Sequence, residues 1–342
     1  MQNVATVGLD IAKNIFQAHG VDAEGAVVFR KRLTRAKVVE FFAGLPKCLV
    51  GIEACATAHH WARTLQAQGH TVKLMPPAYV KPYVKSQKND AADAEAICEA
   101  VTRPNMRFAE IKSVEQQSVL AMHRLRALLI RHRTRLANTI RAHMAEFGII
   151  APVGRMGLER LNHILWDEND DRITPLVRRS LGHLVNQLDQ QHMQILDLDR
   201  QILAWHRSNE TSRRLATIPG IGPLAASALT ATIGDASTFI SGRALASWIG
   251  IVPKQSSSGG KERLGAISKR GDTYLRWLLV AGSLAVIRYA QRNGTKRPWL
   301  VKLLERRTSK IAAVALANKN ARMIWAMMMR GENYREPVAQ AA

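Results

Sequence analysis

The sequence predicts an α/β N-terminal domain, a helical middle with a coiled-coil pattern, and a mainly α C-terminal domain. Three observations carry this. Short apolar runs alternate with helical patterns over residues 1–108, apolar residues then recur at heptad spacing, and Gly/Pro punctuation afterwards separates a series of helices. With 342 residues, 47% of them hydrophobic, the chain can bury more than one core. The expected division is 1–108, 109–210 and 211–332, with residues 333–342 as a tail.

In the first segment, Val4–Leu9 reads as a strand, with Ala26–Arg32 pairing to it across a turn containing Gly20, Asp22 and Gly25. Lys37–Leu45 is helical, Cys48–Ile52 is a buried strand, and Ala58–Gln68 is a helix closed by Gly69. Thr71–Met75 is a strand stopped by Pro76-Pro77. Asn89 or Asp90 starts a helix running through Ala100. In the second segment, Leu181, Leu188, Ile195 and Ile202 recur every seventh residue, with Leu184, Gln191, Leu198 and Trp205 at the companion positions. That is a coiled-coil seam with one polar member, Gln191. Leu125, Leu129, Leu136 and Ile140 mark a second long, arginine-rich helix, so an antiparallel arm or dimerising stalk is expected. Pro152, Pro175 and the acidic run Asp167–Asp171 fall between the two helices. In the third segment, helices are expected at Arg243–Trp248, Thr273–Tyr289, Trp299–Arg307 and Ile311–Met329.

The charge narrows the function classes. The chain carries 49 basic against 27 acidic residues, net +22. Residues 211–342 hold 21 basic and 6 acidic residues, a net +15. A polyanionic partner is implied, with the last third nearest to phosphate. A membrane partner is disfavoured. The longest apolar stretch, Trp277 to Ile287, lies between Arg276 and Arg288 and is shorter than the roughly 20 residues of a span. Asp10 interrupts the only candidate for a leader. Cys48, Cys55 and Cys98 match no zinc spacing and read as thiols in a reducing cytoplasm.

Asp10 and Glu53 each sit just past an expected strand end, where side chains converge above an open sheet. Asp90 and Asp93 share one face at a helix start. Singly, each has an ordinary reading: a strand end, a surface residue, a cap, a charge favoured by the helix dipole. Together they form a set of hard oxygen donors suited to Mg²⁺ or Mn²⁺ beside a phosphodiester.

Two C-terminal motifs are suited to phosphate. Ile218-Pro-Gly-Ile-Gly222 resembles the hairpin of a helix-hairpin-helix module, in which Gly220 and Gly222 let the backbone approach a phosphate. In the segment 250–272, Ser256, Ser257 and Ser258 lie among Lys254, Lys261, Arg263, Lys269 and Arg270. Composition there suits a flexible Gly/Ser linker as well as a nucleophilic serine stabilised by cations.

Gly8-Leu-Asp-Ile-Ala-Lys13, Gly51-Ile-Glu-Ala54, Lys88-Asn-Asp-Ala-Ala-Asp93, Ile218-Pro-Gly-Ile-Gly222 and the Ser-Gly-Gly-Lys loop resemble, in order, the insertion-sequence one-ten family of transposases, in detail its eleven-eleven subgroup. One departure is Glu53-Ala-Cys-Ala, where many members have Thr or Ser and Gly after Glu-Ala. The resemblance implies a ribonuclease H-like (RuvC-like) N-terminal domain with Asp10, Glu53, Asp90 and Asp93 as a catalytic DEDD metal tetrad. It implies a nucleophilic serine five residues after Pro253, namely Ser258, with Ser257 and Ser256 as fallbacks. It further implies a phosphoserine link to DNA, an active site composed from two protomers of a homodimer or dimer of dimers, and a guide noncoding RNA that pairs with donor and target DNA. The expected location is the cytoplasm, on the nucleoid.

Other readings are a metal-only nuclease or resolvase in which water attacks, a Piv-type DNA invertase, and a nucleic-acid-binding protein without catalysis. A sugar-kinase or actin-like ATPase also places Gly-x-Asp at its first strand, but the Gly-rich adenosine segment it requires is not found.

Overall fold

The computed structural model describes residues 3–85, 89–295 and 297–336. Residues 86–88, including the Lys88 of the motif above, and the end of the expected tail, 337–342, lie outside the described residues. The chain forms two compact units, one up to Glu115 and one from Gln116 onward. The first is mixed α/β and the second is mostly helical.

The first unit contains β1 (Thr6–Ile11), β2 (Ile15–Val21), β3 (Val27–Thr34), α1 (Val38–Ala43), β4 (Leu49–Glu53), α2 (Ala58–Ala67), β5 (Thr71–Met75), α3 (Pro77–Val80) and α4 (Asp90–Val101). Its sheet has the order β3-β2-β1-β4-β5. The pairs β1–β2 and β2–β3 are antiparallel, while β1–β4 and β4–β5 are parallel. The expected pairing of Ala26–Arg32 with the first strand is therefore corrected, because β2 lies between them and is the partner of both. The link from Ile11 to Ile15 is Ala12-Lys13-Asn14, which has neither Gly nor Pro to announce a turn. The core is continuous from Val7 and Leu9 through Phe16, Val50 and Ile52 to Trp61 and Leu65.

The second unit opens with α5 (Val114–Ala145), which begins at the junction, and continues with α6 (Arg155–Trp166), α7 (Pro175–Ser208), α8 (Glu210–Leu215), α9 (Pro223–Ile233) and α10 (Gly242–Ile249). A hairpin of β6 (Pro253–Gln255) and β7 (Leu264–Ile267) follows, then α11 (Thr273–Asn293), α12 (Pro298–Arg306) and α13 (Ser309–Arg330). Helix α6 occupies the stretch read above as a connection. Its Leu161 and Leu165 pack with Ile140 and Met144 of α5 and Leu181 and Val185 of α7. A connection from Pro152 to Pro175 was too long to stay irregular in a compact unit. The two long helices are antiparallel: Arg126 pairs with Asp199, and Ile140 meets the start of α7. Part of the heptad face of α7 is used within the chain. Leu181, Ile195 and Ile202 are buried, while Leu188 and Leu198 are only partly covered.

A buried hydrogen-bond chain joins α5, α9 and α11. Ser227 Oγ donates to the Pro223 carbonyl at 2.8 Å, so it accepts from His123 Nε2–H at 3.0 Å. The other ring nitrogen, Nδ1, then accepts from the Tyr274 hydroxyl at 3.0 Å. Burial first, and then Arg126, hold His123 down to a pKa of about 4. The neutral ring is favoured in the folded chain, so the unfolded chain takes up the proton first. Stability is therefore full above about pH 6.5 and declines as pH falls towards 4, by up to about 3 kcal/mol from this group. His70 and His206 are shifted in the same direction. Urea unfolding at neutral and mildly acidic pH should show this loss, and His123→Gln should make it smaller.

Candidate metal centre and serine hairpin

Two glycines determine how the carboxylates meet. Gly8 of β1 and Gly51 of β4 are register partners on adjacent parallel strands. A Cβ at Gly8 would lie 2.1 Å from the Ala94 carbonyl and 2.4 Å from the Cys98 amide nitrogen, both backbone atoms of α4. A Cβ at Gly51 would lie 2.8 Å from the Cβ of Val101. Helix α4 thus lies directly on the two strands. Side chains alternate along a strand, so Asp10 shares the face of Gly8, and Glu53 the face of Gly51. The register pairs Leu9 with Ile52, so one residue further Asp10 stands beside Glu53. Asp10 falls inside β1 and Glu53 is the last residue of β4, rather than just past their ends.

Asn89 caps α4 by accepting from the Ala92 amide at 2.8 Å. Asp90 and Asp93 are therefore not needed as caps. One ligand oxygen from each of Asp10, Asp90 and Asp93 lies within 4.8 Å of the others. Burial, then repulsion from Asp93, Asp90 and Glu53, pushes Asp10 up to about 6. Glu53 thus acts on this group electrostatically and lies outside the trio that meets the distance. Carboxylates crowded in this way repel one another, and a divalent cation with a preference for hard oxygens relieves that repulsion. The donor set fits such an ion. The Cys55 thiol nearby is raised by burial and by the charges of Glu53 and Asp10.

The turn after Glu53 bears on the sequence departure noted above. Thr57 adopts φ +70, a left-handed conformation that favours glycine.

In the second unit, the serine segment is a β-hairpin and not a flexible linker. Pro253 pairs with Ile267 and Gln255 with Leu264. Ser258 and Lys261 bridge across Gly259 and Gly260, whose φ values are +55 and +73. Positive φ at both central residues is the mark of a type I′ turn, which suits the twist of a two-residue hairpin. Ser257 Oγ accepts from Gln255 Nε2 at 3.1 Å, while among the described residues the Ser258 hydroxyl makes no hydrogen bond. Lys254, Lys261, Arg263, Lys269 and Arg270 are all exposed around it. The hairpin base is held by a close approach: a Cβ on Gly271 would lie 1.7 Å from the Trp248 carbonyl. Arg276 donates to the Ile249 and Gly271 carbonyls at 3.0 and 3.3 Å. Lys269 is held at φ +56 and donates its amide to the Gly250 carbonyl at 3.0 Å.

The Ile-Pro-Gly-Ile-Gly turn lies between α8 and α9. Gly220, φ +89, packs on α11, where a Cβ on Gly282 would come within 1.9 Å of the Gly220 carbonyl. Its lack of a side chain is thus required by helix packing. Gly222 is exposed, with open space where a side chain would stand, at the N-terminus of α9.

Two family models match the chain. A family model described as Transposase IS116/IS110/IS902 family matches residues 212–297, and the transposase model for the DEDD domain of IS110 elements matches residues 7–149. The chain is 49% identical over 335 residues to a probable family 20 transposase of Pseudomonas aeruginosa, covering 97% of this chain and 99% of that one. The chain belongs to the IS116/IS110/IS902 transposase family. A second relative, the transposase for insertion sequence element IS1111A of Coxiella burnetii, is 42% identical over 98% of this chain and 92% of its own. The pilin gene-inverting protein of Moraxella bovis is 28% identical over 58% of this chain and 53% of its own. Membership makes this a DNA transposition or recombination enzyme, and the DEDD model suggests a divalent metal. Among the described residues no helix is long and apolar enough to cross a membrane.

The residues missed from sequence are Gly8 and Gly51 as a helix seat, Thr57 as a left-handed turn, and Arg276 as the hairpin clamp. The repeated Gly-x-acid pattern at Gly8-Leu-Asp10 and Gly51-Ile-Glu53 was the available signal for the first two. Gly8→Ala in this transposase should displace α4 and weaken Mn²⁺ binding about 10–100-fold in calorimetric titration, as loss of a group that orients ligands does. Thr57→Gly should release backbone strain and raise stability by up to about 1 kcal/mol, read as a higher thermal midpoint.

Proposed function

We propose that this transposase cuts and rejoins the DNA of an insertion sequence by serine transesterification at a carboxylate-bound metal. The observation that carries the reading is the convergence of Asp10, Asp90 and Asp93. Glu53 on the adjacent strand completes the tetrad. The sheet order, three antiparallel strands continued by two parallel ones, supports a ribonuclease H-like, RuvC-like domain over residues 1–108. When bound, Mg²⁺ or Mn²⁺ supplies Lewis-acid stabilisation of charge at a phosphodiester.

Ser258 is the nucleophile, with Ser257 and Ser256 as fallbacks. Its position at the tight turn and its uncommitted hydroxyl support this choice. Its oxygen bonds to phosphorus as a strand P–O bond breaks, and the hydroxyl proton leaves with the departing strand oxygen. Attack by a second strand reverses these steps, so the bond energy is retained in the phosphoserine. Lys254, Lys261, Arg263, Lys269 and Arg270 stabilise the charge that builds on phosphate. Gly222, and Gly220 beside it, present the start of α9 to the DNA backbone as a helix-hairpin-helix-like element.

The helical region 109–210 serves as a coiled-coil dimerisation arm, residues 211–332 as the serine domain and 333–342 as a tail. Exposed Leu125, Leu128 and Met193 beside Leu198 line a groove of about 600 Å³ between α5 and α7, which supports burial against a second copy. The acidic and serine domains then act in trans within a homodimer or dimer of dimers. A noncoding RNA encoded by the element guides the complex to donor and target DNA. A protein rich in phosphate-binding groups and without a dedicated base-reading helix is consistent with that division of labour, as is action on the bacterial nucleoid.

A second reading is a DNA invertase of the same chemistry without RNA guidance, favoured by the likeness to the Moraxella pilin gene-inverting protein. Trapping separates the chemistry from hydrolysis. Protein, Mg²⁺, the element's RNA and labelled donor and target DNA should give a covalent protein–DNA band on a denaturing gel, lost in Ser258→Ala and in Asp10→Asn. Cleavage with no covalent band would make water the nucleophile. Recombination at full rate without RNA would favour the invertase reading.

A further inference from the structure

A groove in the second unit lies apart from the residues assigned above. It has a volume of about 1530 Å³ and runs between α10, α12, α13 and the base of the serine hairpin. Four cations line it: Arg243, Lys310, Lys319 and Arg322. No Asp or Glu does. Among the described residues no ion pair involves any of the four. Glu336, whose carboxylate feels Lys319, is itself bound by Arg297 at 2.6 Å. The cations are therefore not committed to the protein's own acids.

Apart from Ser241 and Asn318 the rest of the lining is apolar, with one aromatic ring open to solvent. Trp299 is 38% exposed, and the Lys319 ammonium sits 4.6 Å from its ring centroid. Ile311, in the first turn of α13, is 52% exposed. The floor is fixed by hydrogen bonds that leave the cations out. Trp325 Nε1 donates to the Phe239 carbonyl at 3.0 Å, and Asn318 donates to the Ile251 carbonyl at 3.1 Å.

We infer that this groove binds a single-stranded nucleic-acid segment, with a base stacked on Trp299 and the backbone held by Arg243, Lys310, Lys319 and Arg322. A duplex turns its phosphates outward and buries its base faces, so it has no use for an apolar aromatic floor. A single strand offers both chemistries at once, a π-face for the ring and phosphates for the cations. The hairpin that carries Ser258 at its turn forms one wall through Pro253 and Gly265–Ile267. A strand held in the groove is thereby led along the element that bears the serine. This rests on the DNA-acting reading of the second unit and not on which group attacks phosphorus.

The test is fluorescence anisotropy of the full chain, in EDTA, with a fluorescein-labelled oligothymidine strand and with a duplex of equal length. Trp299→Ala should weaken single-strand binding about 5- to 100-fold, the range for one lost stacked base, and leave duplex binding unchanged. Trp299→Phe should restore most of it. Lys319→Ala should lower the slope of log affinity against log salt by about 0.7 for the single strand. Ile311→Glu, at an exposed position, should repel the strand while leaving Trp299 intact. Equal losses on strand and duplex would overturn the inference in favour of a general phosphate surface. Unchanged binding with a lower sedimenting mass would overturn it in favour of a contact between copies. Duplex binding by the wild type with no single-strand binding would overturn the groove alone. Absence of both would also overturn the DNA-acting reading.

Discussion

Everything proposed for the first unit depends on α4 lying against β1 and β4 with no side chain between. Gly8 and Gly51 make that contact possible, and a methyl group at Gly8 would collide with helix backbone, which cannot yield as a flexible side chain can. Because the helix lies so close, Asp90 and Asp93 in its first turn reach Asp10 on the strand below. The cap at Asn89 fixes where that first turn begins. Crowding the carboxylates costs stability, visible in the raised Asp10, and a bound proton or a divalent cation offsets that cost.

In the second unit the three serines Ser256–Ser258 are carried on a short hairpin. An isolated two-stranded hairpin is marginal in water. Here its base is secured by the approach of Gly271 to Trp248 and by the Arg276 bonds, while the tip stays exposed. The positive φ of Lys269 is local strain at the edge of that site, held by its bond to Gly250. Further back, the chain from His123 to Ser227 and Tyr274 links α5 to α9 and to α11, the helix that follows the hairpin. The hairpin is thus tied down at its base and open at its tip.

Charge distribution connects the two units. A polyanion is repelled by the acidic cluster of the first unit and attracted by the basic residues 211–342. The groove at Trp299 extends this logic, since its cations remain uncommitted while neighbouring Arg297 is neutralised by Glu336.

The sequence alone determined the alternating α/β pattern, the long helices and the basic bias of the last third, and it singled out four carboxylates as candidates, because periodicity, charge and residue type are local. It also bounded the C-terminal helices closely, since their caps and apolar faces are local signals. Tertiary structure decided the rest. Strand β2 was hidden by a link with neither Gly nor Pro, and α6 by the reading of its flanking prolines and acids as a connection. Gly259-Gly260 suits a linker or a type I′ turn equally until Ser258 and Lys261 are seen to bridge. That Gly220 also lacks room for a side chain because Gly282 of α11 lies against it is visible only in the tertiary structure. Most of all, the seat of α4 on Gly8 and Gly51 is a contact between residues more than forty apart in the chain, beyond the reach of any local pattern.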